Sequence, residues 1–575
     1  MKKIAIVGFG PRGLSALESL FIEAFKKKLK TKFSVTIFEK SNQLGAGNIW
    51  NTKQTEVNRL NISERALADL NGRKEIKIEH LTIPCFPSYT DWLPSKDKNL
   101  KSTSADRYPP RKKLGKYLKE RSDSIVNVLK EYGFLTVYNT LILDVDFKNH
   151  KSILTSLDNQ KFIFDEVLIT IGHQPTKISP DIEEFQIASY NKNFYCFPET
   201  YPLKNIIKSK EINSEKNIAI RGLGLSMIDA VRALTLKRGG IFIVENTTNF
   251  KSRFINSDAV PKQILPYSLD GLPMVPKPLN AELDSVFALS STQTEYLKNQ
   301  LKKVTTGQKK IKNNSFLKKI IAKISSDIYI QLKNNLNNKQ SKKELENVII
   351  NWLSEPKFKH DLIESVDVKT EFLIESFVKM ACGEQSISLD YCVGQVWRHC
   401  HRILYNYFSH ANISEEGIAS IIELDEQMKR YSYGPPVESM QQLLALVDAN
   451  ILNLDYCNNP EINIINKALV FSNENKKINV QVIINSVLDA PKLLEVTSPI
   501  VKNLLRHKLI EPIHSDLGIH TKKDGRIVTS DLKKNIPISV LGRLSKGSVI
   551  GTDAILECFG IKVENWANGL IKRLE

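Results

Sequence analysis

Three things are missing from this chain of 575 residues, and each absence excludes a class of protein. No stretch approaches the roughly 20 consecutive apolar residues needed to cross a bilayer, so no membrane partner is expected. Met1-Lys2-Lys3 followed by Ile4-Ala5-Ile6-Val7 briefly imitates a secretory signal. Gly8, Gly10, Pro11 and Arg12 cut that apolar run short and no small-residue cleavage site follows, which predicts a cytoplasmic location. Cysteine is sparse: Cys85, Cys196, Cys382, Cys392, Cys400, Cys457 and Cys558 contain no C-x-x-C pair. That spacing argues against a disulfide framework and a structural zinc site, and predicts reduced, mostly buried thiols. Finally, no nucleic-acid motif accompanies the net charge of +18. The lysines are dispersed, as in Lys26-Lys27-Lys28, Lys309-Lys310 and Lys342-Lys343, so the charge reads as a solvated surface and no nucleic-acid partner is expected.

What is present is a globular composition, 42% hydrophobic and 25% charged, in a chain too long for one core. Ile4–Val7 reads as a buried strand running into Gly8-Phe9-Gly10-Pro11-Arg12-Gly13 and then a helical pattern from Leu14 to Leu20. In this arrangement Gly8 permits a tight turn, Gly10 lets the backbone approach a pyrophosphate, and Gly13 lets the helix pack on the strand. The helix N-terminus offers N–H groups and partial positive charge to phosphates. A second strand, Phe33–Phe38, ends at Glu39, where a carboxylate would meet a ribose hydroxyl pair. Gly45, Gly47 and Asn61 suit places where backbone comes close to a flat cofactor.

The pattern recurs once. Asn217–Arg221 reads as a strand, followed by Gly222-Leu223-Gly224-Leu225-Ser226 and a helix, with Ser226 where a third glycine would stand. The next strand, Ile241–Val244, ends in Glu245, at the spacing of an acid that contacts a ribose 2′-OH and favours NADH; Lys251 and Arg253 just beyond suit a 2′-phosphate and NADPH. From about 281 to 450 the periodicity is helical, and strands resume at Ala468–Phe471 and Val480–Asn485, the latter read as the closing strand of the second nucleotide unit. Asp524-Gly525-Arg526 is a hairpin turn signal. Within the helical region, His399 and His401 point about 200° apart on a helix, which argues against a shared metal.

Several separated segments resemble bacterial FAD/NAD(P)-binding flavoproteins related to flavin-dependent N-hydroxylating monooxygenases. They are Gly8–Gly13 with Glu39; Pro110-Arg111 through Gly115, Tyr117 and Leu118; Val167–Pro175 with Thr170 and Gly172; and Val540-Leu541-Gly542-Arg543-Leu544 with Gly547. The resemblance implies bound FAD, with Arg111, Thr170, Gly172, Gly542 and Arg543 near it. Arg543 stands where many flavoproteins carry Asp.

The fold expected is α/β, with two Rossmann-like dinucleotide-binding domains and a large helical insertion. The FAD domain would comprise 1–209 and 496–575, the NAD(P) domain 210–280 and 451–495, and the insertion 281–450. The resemblance further implies an NAD(P)H-dependent monooxygenase using O2 on an amino nitrogen of a small molecule such as an amino acid; a homo-oligomer is left open. A reductase or oxidase without oxygen insertion, and a non-catalytic FAD-binding protein, remain alternatives. His173 reads as structural, and the loop from Lys429 to Pro436 is expected to approach the site.

Overall fold

The computed structural model describes all residues except 79, 99–100, 191–192, 308–310, 333–339, 356, 467, 475 and 531–534. Lys309-Lys310 thus lie outside the described residues.

Two parallel sheets organise the chain. The first has five strands in the order Ile538–Val540, Glu166–Ile169, Lys2–Val7, Phe33–Phe38, Leu135–Tyr138. Its central strand is apolar on both faces, and Ile4, Ala5 and Ile6 are fully buried, as expected where helices cover a parallel sheet. The register decides what this sheet can do. Val7 lies opposite both Phe38 and Ile169, and Ile169 lies opposite Val540. Four strands therefore end level, and the residues that follow them, Gly8, Glu39, Thr170 and Leu541, emerge along one edge. Open parallel sheets bind ligands in the crevice outside that edge.

The second sheet has the order Tyr195–Phe197, Val482–Asn485, Asn217–Arg221, Gln263–Tyr267, again parallel. Three expectations change here. Tyr195–Phe197, assigned by sequence to the FAD domain, is an edge strand of the second sheet. Phe194 and Cys196 pack with Ile182 and Phe185 beneath Ala219 and Leu265, so this stretch belongs to the second core. Val482–Asn485 lies inside the sheet rather than closing it. The strand ending near Glu245, Ile241–Asn246, is absent from the parallel sheet: it pairs antiparallel with Lys251–Ile255. The cause is side-chain partnership. Phe242 meets Phe254 across the ribbon at 4.9 Å between ring centroids, while Ile241 and Val244 stay exposed, so this strand lacks the two apolar faces of a buried parallel one.

Among the described residues eight helices, from Ala281–Ser285 to Val437–Asp448, lie between the strands Gln263–Tyr267 and Val482–Asn485 of the second sheet. Their starts are written in the sequence. Ser290 with Gln293, and Ser341 with Glu344, form capping boxes, and Ser388 and Ser414 cap the helices Leu389–Phe408 and Glu415–Ser432. The apolar faces of these helices share one core with Ile218, Ile220 and Met227 of the second unit, filled by Phe377, Tyr391 and Trp397. Among the described residues no helix is long and apolar enough to cross a membrane. The cysteines are unpaired thiols, five of the seven buried. The Asp524–Arg526 turn closes a bridge between Thr521 and Ile527.

Candidate functional site: a cavity shared by the two sheets and the helical insertion

The first glycine turn is fixed by bonds local to the sheet edge. Gly8 adopts φ +85°, and a Cβ there would lie 2.8 Å from the Ile171 Cα, so only glycine fits. The Thr170 hydroxyl donates to the Gly8 carbonyl at 2.5 Å. Glu39 Oε2 accepts the Phe9 N–H at 2.7 Å, and its Oε1 accepts Ser41 N–H and O–H, both at 2.8 Å. The acid expected at a ribose therefore also holds the turn in shape, and it lines the cavity. Helix Pro11–Lys26 begins without a side-chain cap and without acids in its first turn, which leaves its positive end for an anion. Gly13 and Gly45 pack inward, against Gly8 and Ser122, and serve the turn rather than the cavity wall.

A cavity of about 2120 Å³ opens from this edge. Gly8, Gly10, Pro11, Arg12, Glu39, Gly47, Asn61, Arg111, Thr170, Gly172, Gly542 and Arg543 all line it, and so does His173, which stands exposed there. The chain termini of the unit meet at this point: the Arg12 guanidinium lies beside Gly542 and reaches the Thr552 carbonyl at 3.4 Å. Arg543 pairs with Asp553 at 3.3 Å and donates to the Asp489 carbonyl at 3.0 Å, so an acid faces the cavity from ten residues further on. Arg111 is tied across the molecule, to Asp229 at 2.5 Å and to the Tyr201 hydroxyl at 3.3 Å. It joins the first unit to helix Leu225–Thr235 of the second.

The second glycine turn is arranged otherwise. Gly222 has φ +107°, and a Cβ there would sit 2.9 Å from Ser486 Oγ. Of its predicted contacts only Ser226, with Leu225 beside it, lines the cavity; Gly222, Gly224 and Glu245 do not. Glu245 stands on the exposed ribbon with Arg253 at 3.4 Å. Sequence spacing placed that acid by assuming a parallel strand, and the ribbon carries it elsewhere.

The third wall was not anticipated. Backbone bonds from Val275 N–H to the Arg430 carbonyl, 2.9 Å, and from Lys277 N–H to the Pro435 carbonyl, 3.2 Å, clip the segment after Pro273 onto the end of helix Glu415–Ser432. This aims Lys277 at the carbonyl of Asn61, to which its ammonium donates. Burial, with Arg398 adding, pushes the Lys277 amine down to about 7. Asp284 receives Arg65 at 2.9 Å, His399 at 3.2 Å and Arg398. Burial opposes its charge, yet His399 and Arg398 outweigh burial and hold the carboxyl well below its usual range. Arg65 also grips Asp106 through two bonds, at 2.7 and 3.0 Å. His401, one residue past Cys400, stacks on Tyr405 at 4.8 Å between ring centroids. Its Nε2 is buried with no hydrogen-bond partner among the described residues. Residues Lys429–Ser432, expected in a loop, are the last turn of helix Glu415–Ser432; Ser432 and Tyr433 line the same wall, and the Asn61 amide reaches the Tyr433 carbonyl at 3.4 Å. Of the run Trp397–Arg402, Arg398, His399, His401 and Arg402 line the cavity.

The sheet edge, the uncapped helix and the carboxylate define a dinucleotide-binding crevice. Residues 5–174 match the family model described as FAD-NAD(P)-binding. The chain is 29% identical over 250 residues to uncharacterized protein YdhS of Escherichia coli K12, covering 42% of this chain and 40% of that protein. It is 24% identical over 262 residues to an L-aspartate N-monooxygenase (nitrosuccinate-forming) of Streptomyces davaonensis, 42% of this chain and 39% of the relative. The aligned region thus spans about two fifths of these curated relatives. Among solved structures, a cyclohexanone monooxygenase variant from Rhodococcus sp. Phi1 bound to NADP+ aligns at 12% identity and TM-score 0.44, covering 99% of this chain and 85% of that one.

Proposed function

We propose that this chain is an FAD-dependent, NAD(P)H-consuming monooxygenase that oxygenates an amino nitrogen of a small molecule such as an amino acid. The observation that carries the reading is the single cavity bounded by three walls. One is the FAD-type glycine edge, the second is the Ser226 side of the second unit, and the third is a cationic wall built by the helical insertion. The printed activity of the Streptomyces relative supports the choice of an amino nitrogen.

FAD, when bound, would supply hydride acceptance and O2 activation; the protein supplies orientation and electrostatics. Gly8, Gly10 and the start of helix Pro11–Lys26 would hold the pyrophosphate, and Glu39 the ribose. Gly47 and Asn61 border the volume left for the ring system. Lys277, Arg398 and Tyr433 close that volume from the far side and exclude bulk water.

The test is spectral and then stoichiometric. The purified chain is expected to show flavin absorption, and to consume O2 and NADPH or NADH together with formation of an oxygenated amine. A protein that stays colourless after incubation with FAD overturns the reading. One observation favours a second reading, an oxidase or reductase that inserts no oxygen: the second turn sends only Ser226 and its neighbour Leu225 to the cavity. That reading predicts no bleaching of the flavin by either nicotinamide under anaerobic conditions, or full return of electrons as hydrogen peroxide.

A further inference from the structure

The two parallel sheets are laid out alike around their glycine turns. In the first, the Gly8 N–H donates to the Phe38 carbonyl at 2.8 Å and the Thr170 N–H to the Val7 carbonyl at 2.8 Å. In the second, the Gly222 N–H donates to the Tyr267 carbonyl at 2.7 Å and the Ser486 N–H to the Arg221 carbonyl at 2.9 Å. Arg221 lies opposite both Tyr267 and Asn485, as Val7 lies opposite Phe38 and Ile169. Strand Gln263–Tyr267 therefore takes, beside the second turn, the place that Phe33–Phe38 takes beside the first. That place was expected for Ile241–Val244. Gln263–Tyr267 can occupy it because Ile264 and Leu265 are fully buried, as a strand covered on both faces requires.

The residue after Phe38 is Glu39, and the residue after Tyr267 is Ser268. From there the second edge repeats the first with its two polar groups exchanged. Glu39 accepts the Ser41 hydroxyl at 2.8 Å, and Asp270 accepts the Ser268 hydroxyl at 3.0 Å, each pair two residues apart. Asp270 Oδ1 also accepts the Leu272 N–H at 3.1 Å, while its Oδ2 has no hydrogen-bond or ion-pair partner among the described residues. Asp270 is exposed and Leu269 beside it is 88% exposed. No atom beyond the chain neighbours lies within 4 Å of the point where a Cβ on Gly224 would stand, so the edge is open to a ligand. The cations that could neutralise a 2′-phosphate are engaged elsewhere. Lys251 and Arg253 are on the antiparallel ribbon, and Arg221 is matched to Asp181 at 2.8 Å.

We infer that Asp270, held by Ser268, meets the adenosine ribose of the nicotinamide dinucleotide and makes this chain select NADH over NADPH. Its free carboxylate oxygen accepts a ribose 2′-hydroxyl, and the same charge repels a phosphate at that position. From this edge the start of helix Leu225–Thr235 leads to Leu225 and Ser226, where the cavity begins. The inference rests on the proposed function for the use of a nicotinamide cofactor, but its test reads binding.

The experiment titrates the FAD-loaded full chain with NAD+ and NADP+ by calorimetry at constant ionic strength. The two differ only in the 2′-phosphate, and both leave the flavin oxidised. Wild-type protein is expected to bind NAD+ about tenfold more tightly than NADP+. Asp270→Asn keeps an acceptor for Ser268 and Leu272 and is expected to bring the two Kd values within about threefold of each other. Glu245→Gln is expected to leave their ratio as in the wild type. Wild-type binding of NADP+ as tightly as NAD+ or more so overturns the assignment. So does an unchanged ratio in Asp270→Asn, a shifted ratio in Glu245→Gln, or no binding of either dinucleotide. Retained flavin absorption in each variant shows that the fold survived. The expected preference for NAD+ with no oxygenated product would instead overturn the proposed function and leave the role of Asp270 standing.

Discussion

The two glycine turns begin from nearly the same sequence and end in different places. At the first, strand register brings Gly8, Glu39, Thr170 and Gly542 to one edge, and all of them line the cavity. At the second, Gly222 depends just as much on the freedom of glycine, but the strand that should carry its acid has left the parallel sheet and only Ser226 and its neighbour Leu225 reach the cavity. The comparison teaches that a strand–turn–helix motif specifies a local conformation. Whether that conformation becomes a site depends on which strand lies beside it.

Breaking both turns in the same way gives the largest contrast. Gly8→Val forces a branched residue to φ +85° against the Ile171 backbone and is expected to abolish FAD retention, measured by absorbance of the purified protein. Gly222→Val imposes a similar strain against Ser486. It is expected to cost about 1–3 kcal/mol in chemical unfolding yet leave FAD bound. Loss of FAD in both would erase the distinction between the turns.

A pH scan separates folding of the second region from cofactor binding at the first. Burial pushes Asp425, in the helical insertion, up to about 6. Between the unfolded value of about 3.9 and that value the folded state holds the extra proton, so this group's contribution makes stability fall as pH rises, by up to about 3 kcal/mol. Asp425→Asn is expected to remove that fall, read as a flatter Tm profile from pH 4 to 7, with FAD affinity unchanged. An unaltered profile would sink the assignment.

The smallest contrast concerns the two acids. Glu39→Gln weakens the acceptor of the Phe9 N–H and of a ribose hydroxyl, and is expected to lower FAD affinity about tenfold by fluorescence titration. Glu245→Gln is expected to leave the Kd of NADH and NADPH within twofold, since Glu245 stands on an exposed ribbon away from the cavity. A large effect at Glu245 would restore the symmetry that the sequence suggested.

Legibility followed range of interaction. The strands Lys2–Val7 and Phe33–Phe38, the turn after the first and Glu39 could be read because their signals lie within forty residues, and periodicity reports burial directly. Helix starts at Ser290, Ser341, Ser388 and Ser414 are equally local. Glu245 was misplaced because strand direction is a tertiary property that Ile-Phe-Ile-Val does not encode. Lys277 was invisible for a related reason. Its position comes from backbone pairing with Arg430 and Pro435, more than 150 residues away, and Pro276 and Pro278 on either side mark only an irregular stretch.

The edge strand Ile538–Val540 and the Gly542 stretch give the first sheet a property in time as well as space. The ribosome makes Gly8 and Gly542 more than 500 residues apart, which at about 5–20 residues per second is a delay of roughly 25–100 seconds. Through that interval the strand Glu166–Ile169 presents a bare edge, and the crevice lacks the wall that Leu541 and Gly542 supply. On the proposed function, flavin loading is expected to be a late event in the life of the nascent chain. Its rate should follow completion of synthesis rather than folding of the segment that carries the glycine turn.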